Sequence, residues 1–136
     1  MKKIITAVAF ILLLGSCKKT IEKMKENAVI SAMTDGQWVI TNFVKDGAVI
    51  TNDFSGYKFQ YYSNYTVDAI KNGTVEKTGT WQGDAEAMTI TASFSNAGSP
   101  LSLINGAWHI DNNSWTFVVA SQNTAGETKS LRLEKL

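Results

Sequence analysis

The stretch YKFQYYSNYTVDAIK, residues 57–71, decides the fold. Large side chains alternate with polar ones from Tyr57 to Tyr61, and the alternation resumes after Ser63-Asn64 at Val67 and Ala69. A period of two places alternate side chains on one face of a β-strand. Two such runs joined by a short turn predict an antiparallel hairpin, because a tight connection can only join antiparallel neighbours.

The same alternation extends over the rest of the chain after Asp35-Gly36. Asp46-Gly47 and Asn72-Gly73 are hairpin-turn dipeptides, and turn residues recur every 8–12 positions, as in all-β domains. No helix is expected among the strands. The predicted strands cover residues 37–45, 48–51, 57–62, 65–71, 74–82, 87–94, 101–104, 107–111, 114–121 and 127–136.

Short connections between nearly all strands favour an all-β, antiparallel up-and-down β-barrel of about eight strands. Closing the sheet removes its two exposed edges, which would otherwise pair with other chains. A two-layer sandwich is the alternative, but Greek-key sandwiches need longer crossings. The predicted barrel domain is residues 35–136.

The N-terminus has the pattern of an exported protein. Lys2 and Lys3 precede an apolar run from Ile4 to Leu14, which fits a signal-peptide core and is too short for a spanning helix. Gly15-Ser16 then precedes Cys17, the only cysteine. This pattern resembles the lipobox of bacterial lipoproteins.

The lipobox resemblance implies removal of a signal peptide, residues 1–16, and lipidation of Cys17. The membrane would then be contacted through the acyl anchor, and two or more chains hold firmly. The expected location is the bacterial cell envelope, at the outer membrane. Residues 17–34 would form the lipidated cysteine and a stem, where Met24 and Ala28 lie at helical spacing. A short helix and a flexible tether are both compatible with the stem.

Charge and composition exclude some functions. The chain has 13 Lys+Arg and 12 Asp+Glu, but from Asp35 onward there are 7 basic and 10 acidic residues. Nucleic-acid binding calls for a basic patch, so no nucleic-acid partner is expected. A lone histidine, His109, cannot build a multi-histidine metal site. Most aspartates lie beside turns, where they bond the local backbone. We therefore expect no metal, no cofactor and no enzymatic activity.

Aromatic residues are concentrated on the predicted inner faces. A small barrel either fills its interior with side chains or leaves room for one small ligand. If a cavity exists, Phe59, Tyr61, Met88 and Phe117 should line its mouth. The same alternation predicts that Val75 and Trp81 face inward on one strand. It also predicts that Trp115, Phe117 and Val119 face inward on another.

Two short motifs carry a family resemblance. Gly36-Gln37-Trp38 opens the first strand, and Arg132, the only arginine, lies on the last; lipocalins and their calycin relatives share such a pair. Gly79-Thr80-Trp81 with Met88-Thr89-Ile90 is similar to lipocalin-like lipoproteins of Bacteroidetes. The resemblance implies that Arg132 packs over Trp38 and closes one end of the barrel.

Three functions follow as expectations. The first is binding of a small apolar or amphipathic ligand inside the barrel. The second is a protein-interaction module with a filled barrel and an envelope protein as partner. The third is a glycan-binding sandwich with exposed aromatics. A dry, filled interior beside an exposed apolar patch of several hundred Å² would favour the second.

Overall fold

Nine antiparallel strands form one closed sheet in residues 24–136, the part of the chain that this computed structural model describes. Cys17 and the predicted signal peptide lie outside the described residues. The strands are β1 (Trp38–Lys45), β2 (Ala48–Val49), β3 (Tyr57–Tyr61), β4 (Thr66–Lys71), β5 (Thr74–Asp84), β6 (Thr89–Ser93), β7 (Gly106–Asn113), β8 (Phe117–Thr124) and β9 (Glu127–Lys135).

Pairing between the first and last long strands closes the barrel. β1 runs antiparallel to β9 from Trp38 opposite Lys135 to Lys45 opposite Lys129. From β3 to β9 each strand pairs with the next along the chain. β1 meets β3 only where Trp38 lies opposite Phe59, because β2 folds back on the other half of β1. The predicted up-and-down barrel is confirmed as eight strands plus the short β2, and the sandwich alternative is wrong.

The alternating chain direction gives the barrel two distinct ends. We call one the stem end; it carries the turns at 62–65, 85–88 and 114–116. We call the other the far end; it carries the turns at 46–47, 72–73 and 125–126 and the loop at 94–105.

Two 3₁₀ helices fill the far end. Residues 101–104 were expected to be a strand, but Leu101–Ile104 is a 3₁₀ helix, and Thr51–Phe54 is another. Phe54, Leu101 and Ile104 are buried in the core. The apolar run at 101–104 therefore folds inward as a plug. In the sequence, a short apolar run of this kind looks the same whether it forms a buried helix or a buried strand.

A helix covers the stem end. Residues 24–34 form α1, so the helical alternative for the stem is the one observed. Met33 is 3% exposed within the core, and its carbonyl oxygen accepts a 3.0 Å hydrogen bond from Trp38 Nε1. Val29 and Ile30 pack against the same core. The buried face differs from the predicted one, since Met24 and Ala28 are exposed.

Irregular strands change the inward-facing sets of β5 and β8. Around Glu76 the ladder steps from Ala69 opposite Lys77 to Ile70 opposite Val75. This bulge shifts the alternation, so Val75 is 50% exposed although Trp81 is buried.

On β8 the predicted face is reversed. Val118 lies opposite Leu133, and Ala120 lies opposite Leu131. Directly opposite residues share a face, and both leucines are buried. Val118 and Ala120 therefore point inward, and Phe117 points outward.

Candidate functional site

Aromatic rings fill the barrel interior. The sequence had left open whether side chains or a ligand pocket would occupy it. Neighbouring ring centroids lie 4.7–6.5 Å apart, within the usual range for aromatic pairs. The continuous chain of rings is Trp108, Phe43, Phe54, Tyr57, Phe59 and Phe94. Nearer the stem end, Tyr61 packs edge-on against Trp81 at 5.5 Å. The interior is therefore built from packed rings, and both of its ends are covered.

The four residues predicted to line a pocket do not meet in one cavity. Phe59 and Tyr61 lie inside, at 1% and 5% exposure. Burial raises the pKa of Tyr61 above its ordinary range. Met88 lies in the turn at 85–88 and is exposed. Phe117 is on the outer face, with the guanidinium carbon of Arg132 4.4 Å from its ring centroid.

The predicted pairing of Arg132 with Trp38 is replaced by another one. Arg132 lies opposite Asn42 in the ladder, on the outer face where Phe117 is its ring partner. The cation over Trp38 is Lys135, whose Nζ lies 5.1 Å from the ring centroid. The same Nζ lies 5.8 Å from Trp115 and 3.5 Å from Asp35 Oδ2. Lys135 lies two residues after a buried leucine, on the same face of β9, and so it reaches the Trp38 ring. Arg132 points to the other face of β9 and does not reach that ring.

A buried polar cluster lies at the far end. Gln122 and Lys129 are 6% and 8% exposed. Gln122 Nε2 donates to the carbonyl oxygens of Asn105 and Ala107 at 3.2 and 3.1 Å, and so bridges β8 to the start of β7. Lys129 Nζ donates to Leu103 O at 3.0 Å. The cluster ties the 3₁₀ plug to the barrel wall, which is a structural role.

Three side chains that sequence reasoning did not connect lie together on the outer face of β7 and β8. Trp108 is buried, so alternation places His109 and Asp111 on the outer face, and Ser121 lies opposite His109 in the ladder. His109 Nδ1 lies 3.0 Å from Asp111 Oδ1. Hydrogen bonds from His109 and then Ser121 hold the pKa of Asp111 below its ordinary value.

This trio is not arranged as a catalytic triad. In a triad the histidine lies between the serine and the carboxylate, whereas here Asp111 accepts from both His109 and Ser121. The side chains of His109 and Asp111 are 61% and 43% exposed, which leaves the pair in water. Within residues 24–136 no group of three or more His, Cys, Asp or Glu side chains is placed to hold a metal ion.

An acidic groove runs between α1 and the wall formed by β5 and β6. Its volume is about 500 Å³. Glu26, Asp84 and Glu86 line it with carboxylates, and Val29 and Ile30 supply apolar surface. Asp84 Oδ1 accepts hydrogen bonds from the backbone of Glu86 and Ala87 at 3.1 and 3.0 Å, which fixes the turn that bears Glu86. The groove combines carboxylates with apolar side chains.

Comparisons with known proteins support the fold. No protein-family model matches the chain, and no curated protein matches it. A crystal structure of a DUF4847 family protein from Bacteroides vulgatus ATCC 8482 is similar, with a TM-score of 0.54 and 16% sequence identity. The match covers 78% of this chain and 96% of that one. At this identity the similarity extends to the β-barrel fold.

Proposed function

We propose that this chain is a lipoprotein of a bacterial cell envelope, anchored at the outer membrane through Cys17, whose lipocalin-like barrel is a non-enzymatic protein-interaction module. The lipobox-like pattern ending at Cys17 supports the anchor. In residues 24–136 no helix is both long and apolar enough to cross a bilayer. The attachment proposed here is through acyl chains on Cys17.

The observation that carries the interaction module is the ring-filled interior. A barrel that carries a small apolar ligand needs a cavity of a few hundred Å³ to bury it. Here the centre is occupied by Phe43, Phe59 and Trp81, each no more than 1% exposed. Recognition then falls to the outer surface.

The acidic groove is the outer surface best suited to a partner. Its carboxylates on Glu26, Asp84 and Glu86 complement basic side chains, while Val29 and Ile30 give an apolar contact. The partner that fits is an envelope protein that presents lysine or arginine next to apolar residues.

Native mass spectrometry of the full chain, extracted from its own membranes in mild detergent, tests the anchor and the filled barrel together. The expected mass is that of the chain from Cys17 onward plus acyl groups, with no retained small molecule. A retained apolar compound would instead support ligand carriage. A mass without acyl groups would refute the lipoprotein assignment.

Photo-crosslinking in cells tests the groove. A crosslinking residue replaces Glu86, which lies in the groove, or Asp53, an exposed acidic position at the far end. We expect one defined adduct at position 86, its loss on Glu26→Lys, and no such adduct at position 53. Equal labelling at both positions, or an adduct indifferent to Glu26→Lys, would rule out the groove.

A further inference from the structure

Exposed large apolar side chains are distributed unequally between the two ends of the barrel. Val49 and Val75 lie at the far end. The stem end has six of those in the described residues, including all three aromatics, and they are Met24, Tyr62, Tyr65, Met88, Trp115 and Leu136. An uneven apolar surface of this kind marks an interaction site more often than scattered single residues do.

Trp115 is the most exposed of these aromatic side chains, at 58%. It lies in the turn at 114–116, between β7 and β8. The turn is well ordered by its own bonds, since Ser114 N donates to Phe117 O at 2.9 Å and Thr116 N donates to Ser114 Oγ at 3.1 Å. The ring is thus held outward on a fixed support.

The turn that carries Trp115 is uncharged, since residues 112–116 read Asn-Asn-Ser-Trp-Thr. Lys135 Nζ lies 5.8 Å from the ring centroid and 3.5 Å from Asp35 Oδ2, so that carboxylate balances its charge. The neighbouring turn at 85–88 differs, because it contains Glu86 and follows Asp84. A neutral turn with an exposed tryptophan suits the lipid headgroup region, where tryptophan is enriched.

The length of the stem restricts which end can approach the membrane. Residues 18–23 separate Cys17 from the start of the described helix. Seven steps of at most about 3.6 Å span about 25 Å when fully extended. The nine residues of β9 span about 30 Å along the strand. An anchor on Cys17 is therefore too short for the barrel to stand on its far end, and it keeps the start of α1 within about 25 Å of the bilayer.

We propose that the turn at 114–116 contacts the membrane surface, with Trp115 in the headgroup region. The contact is with lipid, and it rests on the proposed lipidation of Cys17. It orients the barrel with the neutral turn toward the bilayer. The acidic residues of the adjacent turn favour zwitterionic over anionic lipid.

Tryptophan fluorescence of the lipidated full chain in phosphatidylcholine vesicles tests this orientation. All four tryptophans lie in residues 24–136, and the other three are at most 2% exposed. Lipids brominated near the headgroup should therefore quench Trp115 selectively. We expect a loss of emission that disappears in Trp115→Phe.

The matched control moves the reporter to the far end. Val49→Trp in the Trp115→Phe background places an exposed ring there, and we expect no quenching. Equal quenching at both positions, or none at Trp115 in a chain shown by mass to carry acyl groups, would overturn the orientation alone. A chain without acyl groups would overturn the anchor and this contact together.

Discussion

At the residue scale, Glu127 has two lysine partners that differ in their surroundings. Lys45 Nζ and Lys129 Nζ lie 3.9 and 3.8 Å from Glu127 Oε1, with side-chain exposures of 39% and 7%. Glu127 Oε1 is buried and has no hydrogen-bond partner among the described residues. Lys129 also lies over Trp108, 5.6 Å from the ring centroid. Burial, and not distance, therefore distinguishes the two pairs.

Replacing Lys129 with methionine keeps the aliphatic stem and removes the charge. The carbonyl oxygen of Leu103 then loses its hydrogen-bond donor, and the buried Glu127 Oε1 loses the nearer of its two cations, which costs about 1–3 kcal/mol of unfolding free energy. Lys45→Met is the matched control and should cost less than about 1 kcal/mol, because that lysine is exposed. Urea denaturation measures both variants. Equal effects would show that the buried ammonium contributes nothing beyond a surface pair.

The raised pKa of Tyr57 predicts a loss of folding stability at high pH. Its hydroxyl donates to Glu76, and burial followed by this hydrogen bond raises the pKa from 10.0 to about 12. The fold thus prefers the neutral phenol. Its contribution is fully present below pH 10 and is lost as the pH rises from 10 to 12.

Tyr57→Phe removes this titration, and Tyr61, whose pKa is raised as well, is the same in both proteins. The stability of the original chain relative to Tyr57→Phe should therefore decline between pH 10 and 12. Urea denaturation at a series of pH values checks it. A difference that does not change with pH contradicts the shifted pKa.

At the scale of elements, α1 is part of the barrel core rather than a separate stem. Met33 is buried, whereas Met24 in the same helix is 64% exposed. Gly83 on β5 makes room for the helix, since a β-carbon there would lie 2.9 Å from Val29 Cγ1. The helix and the end of β5 are therefore shaped to each other.

Met33→Ala should lower the unfolding free energy by about 2–4 kcal/mol, because it leaves a cavity under α1. Met24→Ala, the same substitution on the exposed face, should stay within about 0.5 kcal/mol of the original chain. Thermal and urea denaturation of the two variants give the comparison. Similar stability for both would mean that the helix does not pack on the barrel in solution.

Gly79 lies where β5 and β6 approach each other closely, and replacing it tests that contact. A β-carbon at this position would lie 2.3 Å from the backbone oxygen of Ser93 and 2.7 Å from Phe94 Cδ1. Gly79→Ala should cost about 2–3 kcal/mol or more, since backbone must move. Gly98→Ala, where a β-carbon meets nothing within 4 Å, should be close to neutral. A tolerated Gly79→Ala in a calorimetric melt would count against this strand contact.

Sequence patterning predicted the inner faces of β3 and β9 correctly, and that of β6 except for Met88, because those strands are regular. It failed at β8, where Trp115, Phe117 and Val119 form the more apolar set although Val118 and Ala120 point inward. Large rings from other strands already fill the interior, so small residues suffice on β8. Bulges at Glu76 and Asp111 shift faces in a way that residue spacing does not reveal.

The candidate site was predictable only in part for the same reason. Phe59 and Tyr61 were placed inside correctly by the alternation of β3. Lys135 was not identified as the cation over Trp38, because its approach depends on the path of β9 around the barrel rim. The acidic groove depends on where α1 docks, and residue spacing had indicated a different helix face.

At the scale of the whole molecule, the stem end brings together the helix, the acidic groove and Trp115, while the far end is sealed by its 3₁₀ helices. If the proposed anchor is present, every proposed contact lies at the end nearest the bilayer. The barrel is then a rigid support that sets the height and direction of its stem-end surfaces.

Cys17→Ala should release the protein from the membrane fraction into the soluble fraction. Two acyl chains hold a protein firmly, and removing them leaves only the weak surface contact of the barrel. Fractionation followed by immunodetection measures the shift, and an unchanged melting temperature shows that the barrel still folds. Continued retention in the membrane would refute lipidation at this position.

β1 pairs with its two neighbours β3 and β9 over very different lengths. β9 follows β1 along its length, whereas β3 meets it at the single position where Trp38 faces Phe59. Ile50 and Thr51 occupy the rest of that side, through Ile50 N to Phe43 O at 2.8 Å and Phe43 N to Thr51 Oγ1 at 3.0 Å. When the barrel opens locally, β1 should stay paired with β9 and separate from β3. Backbone amides between β1 and β3 should therefore exchange with solvent before those between β8 and β9.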